Sequence, residues 1–248
     1  MRYQAVLFDL DNTLYDYNAC YRAANDAVFP WLCARTGRAR AELEALYREA
    51  KRRNHIALAG TAASHNRLLY YQRLAELLGL KVFGAADVLL NIFWDTFLAA
   101  MQPLPGALEL LSAIRPRGIC LVTDMTVEIQ YRKIARLGLA PFIDAIVTSE
   151  EAGIEKPHPW PFTLALGKLG ADPAQACMVG DAPKDIEGPI LLGMDAYWVQ
   201  QCSQDTHWQY TELRADRHPC LREASASSSM SRLTIVQDLY ELRDALLR

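Results

Sequence analysis

The 248-residue sequence predicts a doubly wound α/β core, a parallel sheet flanked by helices, with an inserted all-helical cap domain. Three observations predict it. Short apolar runs alternate with helix-like stretches. One long, purely helical segment interrupts that rhythm after the first run. Polar residues suited to chemistry fall at the ends of several runs.

The runs come in order. AVLF (5–8) is first, followed much later by GICLVT (118–123), DAIVTS (144–149), ACMVG (176–180) and DAYWVQ (195–200). Most are rich in β-branched or aromatic residues, as expected of strands buried on both faces of a parallel sheet. Between them lie amphipathic stretches with punctuated ends. GALELLSAIRPRG stops at Gly118. TVEIQYRKIARLG starts at a Thr126 cap and stops at Gly138. HPWPFTLALGKLG stops at Gly170. ADPAQA offers Asp172 as a cap with Pro173 at the first helical position. RLTIVQDLYELRDALL supplies a last strand and helix, and the patch SASSSMS (225–231) reads as a loop. Strand-helix alternation implies right-handed crossovers and a Rossmann-like sheet.

Residues 16–102 are helical only. Four stretches, NACYRAANDAVFPWLCART, ARAELEALYREAKRRN, SHNRLLYYQRLAELLG and AADVLLNIFWDTFLAAM, are closed by PLPG (103–106). The economical division is a core of 1–15 and 103–248 with a cap of 16–102.

Composition sets broad limits. A chain that is 51% hydrophobic can bury a sizeable core. Net charge is −3, and Lys and Arg are scattered rather than striped, which disfavours nucleic acid as a ligand. No apolar run looks long enough to cross a bilayer, and Asp9 and Asp11 fall where a secretory leader would be apolar. Six cysteines without C-x-x-C spacing read as reduced thiols. The expectation is a cytoplasmic protein with no membrane partner. Cys120 and Cys177, within apolar runs, read as core residues. Trp31, Trp94 and the Tyr70–Tyr71 pair read as cap packing. His55, His65 and Arg67 read first as ordinary surface positions of the insertion, with substrate contact as the alternative, since a cap folding over the core would set substrate preference near His55–Arg67. Neither His158 and His207 nor the cysteines have the spacing of a zinc site, and no phosphate-loop or dinucleotide glycine motif is present.

In a doubly wound sheet, ligands bind beyond the C-terminal strand ends. The first run ends in Asp9 and Asp11, the second in Thr123 and Asp124. Ser149 and then Lys156 follow the third; Asp181, with Asp185 one turn on, follows the fourth. Alternation lets Asp9 and Asp11 share a face while Leu10 turns to the core. Gathered together, four carboxylates would repel one another, and a hard cation such as Mg2+ relieves that. Mg2+, Lys156 and the Thr123 hydroxyl would together suit a phosphate group.

DLDNT, Thr123, Lys156–Pro157 and GDAPKD resemble, in order, the four motifs of the haloacid dehalogenase-like hydrolase superfamily. The resemblance spans nearly the whole chain and is greatest to the phosphatase branch with a helical cap. It implies an aspartyl-phosphate enzyme with a small phosphorylated metabolite as substrate. Asp9 would be the nucleophile and Asp11 the general acid and base. Thr123, Asp124 and Lys156 would hold phosphate alongside Asp9 and Asp11. Mg2+ would be held by Asp9, Asp181, Asp185 and the backbone carbonyl of Asp11. Three positions depart from the usual pattern: Met125, which would narrow the phosphate pocket, His158 and Pro189. A dehalogenase or a phosphomutase on the same core, or a receiver-like phosphoacceptor module, are the alternatives. Asp11 argues against the dehalogenase, and the large insertion against the receiver.

Overall fold

The computed structural model describes residues 2–202 and 232–248. The patch 225–231, His207 and Cys220 lie outside them. Six strands form one sheet: β1 (Ala5–Phe8), β2 (Gly118–Thr123), β3 (Ala145–Thr148), β4 (Ala176–Gly180), β5 (Asp195–Val199) and β6 (Leu233–Val236). Every pairing is parallel, in the order β3-β2-β1-β4-β5-β6. The order reverses direction between β1 and β4, which opens a crevice there. Phe8 pairs with both Leu121 and Val179, so the segments following β1, β2 and β4 emerge side by side.

Alternation along the strands explains the two-sided core. Val6, Phe8, Ile119, Leu121, Cys177 and Val179 face one hydrophobic cluster, while Ala5, Leu7, Cys120, Val122 and Met178 face the other. The first face is covered by α5 (Ala107–Ile114), α6 (Val127–Leu137) and α10 (Leu239–Leu247). On the opposite face α8 (Trp160–Leu169) packs on β1, β2 and β3, and α9 (Pro183–Leu191) on β4 and β5. A one-turn helix, α7 (Ser149–Ala152), begins where β3 ends. The cysteine expectation holds for Cys120 and Cys177, both buried, and the five described cysteines are free thiols.

Four helices fill the interval between β1 and α5: α1 (Tyr17–Thr36), α2 (Arg40–Ala57), α3 (Arg67–Leu78) and α4 (Val82–Ala100). Asp16 caps α1 by accepting from the Ala19 N–H at 2.8 Å, and Asn66 caps α3 through the Leu69 N–H at 3.2 Å. The helices pack around aromatic rings, with Tyr47, Tyr70, Tyr71, Phe93, Trp94 and Phe97 all buried. Phe93 and Phe97 stack with centroids 5.7 Å apart. The packing role expected of Trp94 and Tyr70–Tyr71 is therefore observed, and Trp31 is half-buried against the same cluster.

Three expectations need correction. Asp172 caps only a 3₁₀ turn, Pro173–Gln175, because β4 begins at once. Thr126 precedes α6 without its side chain capping it; Glu150 instead accepts from the Val127 N–H at 2.7 Å. Finally, α4 is long and apolar enough to cross a membrane by length and composition alone. It carries Asp87 and Asp95, bends at Phe83–Gly84, and packs its Leu89, Phe93 and Phe97 against α1 and α3.

Candidate active site

The residues leaving β1, β2 and β4 meet at the crevice. Asp9 is buried directly beyond Phe8, and Leu10 turns into the core. The Lys156 ammonium lies 2.6 Å from Asp9 Oδ1, 2.6 Å from Asp185 Oδ1 and 2.9 Å from the Val122 carbonyl. One cation thus ties three segments together. Asp185 reaches it from the first turn of α9, where its other oxygen accepts from the Ala182 N–H at 3.1 Å. Gly180 makes this approach possible: a Cβ there would lie 2.3 Å from the Asp185 Cβ.

Asp9, Asp181 and Asp185 form a compact trio with carboxylate oxygens within 4.8 Å of one another. Burial, then repulsion within the trio, pushes the Asp9 and Asp181 carboxyls above the ordinary range despite Lys156 and Lys184 nearby. Burial disfavours the Lys156 charge, but Asp185, Asp9 and Asp124 outweigh it and hold the ammonium protonated. The trio fits Mg2+ by chemistry and size. It offers only hard oxygen donors. Two ligands opposite each other on one Mg2+ at about 2.1 Å are about 4.2 Å apart.

Asp11 stands apart from the trio. Its carboxylate binds Lys133 Nζ at 2.8 and 3.0 Å and accepts from the Tyr15 hydroxyl at 2.6 Å. Burial alone would raise this carboxyl, but the Lys133 ammonium and the Tyr15 hydroxyl prevail and hold it below the usual carboxylate range. Lys133 is fully buried on α6 and enclosed by the rings of Tyr15, Tyr17 and Phe97.

The phosphate-binding candidates converge on the same place. Thr123 Oγ1 accepts from the Gln130 amide at 2.5 Å, and that amide also reaches the Asp124 carbonyl at 3.1 Å. A hydroxyl that accepts an amide keeps its own proton to donate elsewhere. Asp124 accepts from the Lys156 N–H at 3.1 Å and pairs with Lys184 Nζ at 2.7 Å. Burial would raise it, but Lys184 and Lys156 lower it further.

A cavity of about 280 Å³ covers this group. Its core wall includes Asp9, Asp11, Thr123, Asp124, Met125, Asp181 and Lys184. Its cap wall is Tyr17, Lys51, His55, His65 and Arg67. Met125 does enter the cavity, as its bulk predicted, and holds a left-handed φ of 137° where glycine would be unstrained. Arg67 corrects the surface reading of the insertion: it is buried, and it lines the cavity together with His55 and His65. Periodicity places a cationic residue on a helix but not the direction from which a second domain approaches. Lys133, Lys184 and Gln130 also escaped the sequence reading. Lys184 lies inside GDAPKD, and that was the one available signal.

The arrangement defines an enzyme of hydrolytic class. The chain belongs to the haloacid dehalogenase-like hydrolases: that family's model matches residues 3–193. It is 39% identical over 205 residues to ribulose-1,5-bisphosphate 5-phosphatase from Halopiger xanaduensis, covering 77% of this chain and 82% of that one. Glyceraldehyde 3-phosphate phosphatase from Methanopyrus kandleri is 34% identical over 199 residues, covering 77% and 81%. Among solved structures, 2-haloacid dehalogenase from Pseudomonas syringae pv. Tomato DC3000 superposes with a TM-score of 0.69 at 25% identity, covering 99% of each chain.

Proposed function

We propose that this chain is a Mg2+-dependent phosphomonoester hydrolase that acts on a small phosphorylated metabolite through phospho-Asp9. The observation that carries it is the buried Asp9–Lys156–Asp185 bridge beside Asp181, with a second acid, Asp11, held separately. Two phosphatases among its relatives point the same way. Residues 1–15 and 103–248 serve as the catalytic core and 16–102 as the cap.

In this reading Asp9 attacks the phosphorus, and Lys156 balances charge on Asp9 and on the incoming oxygens. The Thr123 hydroxyl donates a hydrogen bond to the phosphate. Asp9, Asp181 and Asp185, with the backbone carbonyl of Asp11, would hold Mg2+, which when bound neutralises the phosphate and the crowded carboxylates. Asp11 gives a proton to the leaving oxygen and later takes one from water. Lys133 favours its ionised form, the base of the second step, and an arriving dianionic phosphate raises its affinity for a proton in the first. Lys184 holds Asp124 and thereby the loop after β2. The cap helices exclude bulk water.

Replacing Asp9 with Asn should abolish release of phosphate while circular dichroism remains unchanged, and EDTA should reversibly silence the wild type. Retained turnover in Asp9→Asn ends the proposal. The likeness to a solved dehalogenase gives the second reading, which halide release persisting in EDTA would favour. A screen of sugar phosphates, nucleotides and phospho-acids then identifies the substrate.

A further inference from the structure

We infer that the cap wall of the cavity is a second anion-binding subsite, built on Lys51 and Arg67, so that the preferred substrate carries an acidic group beyond the phosphate hydrolysed. This rests on the phosphatase reading above.

Charge accounting across the cavity carries the inference. On the core wall and just behind it each of these ammoniums has a carboxylate: Lys184, which lines the cavity, has Asp124, the buried Lys156 has Asp9 and Asp185, and the buried Lys133 has Asp11. On the cap wall, among the described residues, neither Lys51 nor Arg67 has an acid within 4.0 Å. Arg67 is only 4% exposed. Its guanidinium donates to the His65 carbonyl at 2.6 Å and to the Tyr17 hydroxyl at 2.5 Å, while the buried Nε has no partner among the described residues. The rings of Tyr21, Tyr70, Phe93 and Trp94 surround it at 5.1 to 5.9 Å. Aromatic faces soften the burial of a cation, but they supply no counter-charge. A buried cation with an orphaned donor is costly until an anion arrives.

The neighbouring His55 imidazole registers the positive field rather than adding to it, and His65 Nε2 lies 3.1 Å from a Glu155 carboxylate oxygen. His55 lies one turn beyond Lys51 on α2, and its ring centroid is 5.0 Å from that of His65. Burial, then His65, Lys51 and Arg67, pushes the His55 imidazole down to about 4. In the phosphatase reading the transferred phosphate would be answered by Lys156 and the Thr123 hydroxyl on the core side, which leaves the cap cations for a separate group. A phosphate or a carboxylate at the far end of a compact metabolite supplies the missing charge, and a planar guanidinium fork suits either.

The test compares matched ligands: ribulose 1,5-bisphosphate against ribulose 5-phosphate for a second phosphate, and 3-phosphoglycerate against glycerol 3-phosphate for a carboxylate. Calorimetry on Asp9→Asn with Mg2+ should give at least one pair in which the doubly acidic member binds about tenfold tighter or more. In otherwise wild-type protein, Lys51→Met should cut the kcat/KM ratio for that pair by about tenfold, Arg67→Met by more, and Arg67→Lys should recover part of it. Lys81→Met, on the cap away from the cavity, should leave the ratio unchanged. Neither pair showing a preference, or Lys51→Met weakening both members equally, overturns the subsite. If Arg67→Met does not fold, the half-buried Lys51 decides alone. A wild type that hydrolyses nothing while Asp9→Asn still prefers the doubly acidic ligand defeats the hydrolase reading and keeps the subsite. Hydrolysis without preference does the reverse.

Discussion

Lys133 is the residue whose importance exceeds its visibility in the sequence. It sits in an amphipathic helix that otherwise reads as core on one face and solvent on the other, yet it is fully buried and ion-paired to Asp11. Removing it leaves Asp11 without the partner that orients it and lowers its pKa. Lys133→Met should reduce kcat on the order of 100-fold, the scale of a misplaced catalytic group. A merely structural lysine would not shift the pH–rate profile. Here the limb belonging to Asp11 should move to higher pH, because the cation that outweighed burial has gone. An unchanged profile with reduced stability would assign Lys133 to packing alone. At the same scale, Asp9, Asp11, Asp124, Lys156, Asp181 and Asp185 were legible because each directly follows a strand or belongs to a recognisable motif. Arg67 was not, since its burial depends on aromatic side chains from α1, α3 and α4 meeting around it.

Among the elements, the junction of β4 with α9 is the most constrained. Gly180 leaves room for Asp185, and Gly188 lets α9 approach the Lys156 loop: a Cβ there would fall 2.6 Å from the Pro157 carbonyl and 2.4 Å from the Phe162 ring. Gly180→Ala should therefore push Asp185 off Lys156 and weaken Mg2+ binding by about tenfold or more, seen by calorimetry. Gly188→Ala should destabilise the fold by about 1–3 kcal/mol in denaturant unfolding, the ordinary cost of overpacking. The strands themselves were predictable almost to the residue, because a parallel strand buried on both faces has few other readings. Helix ends were less so. Thr126 and Asp172 both look like caps, but Glu150 from a neighbouring segment takes the first role, and the immediate start of β4 cuts the second helix to one turn.

For the whole molecule, metal and protons should compete. Asp9 and Asp181 hold protons to higher pH in the folded metal-free protein than in the unfolded chain, where aspartate titrates near about 3.9. The folded state then binds more protons than the unfolded one between those values, so metal-free stability falls as pH rises from about 5 through 8. Mg2+ must displace these protons, and its stabilisation should grow over the same interval. At about 100 times Kd it should contribute about 2.7 kcal/mol. Melting curves at pH 6 and pH 8, with Mg2+ and with EDTA, check this. An equal Mg2+ increment at both pH values would show that the trio is not the metal site.

The sequence by itself determined the parallel sheet, the helical insertion after β1 and the acids at strand ends, since periodicity and strand-end position are local properties written every few residues. Tertiary structure alone decided which lysine answers which carboxylate, that Asp11 is held apart from the trio, and that Lys51 and Arg67 line the cavity with no acid within 4.0 Å among the described residues. Those outcomes depend on how distant segments converge in a low-dielectric crevice, where a few ångströms separate a compensated charge from an exposed demand for one.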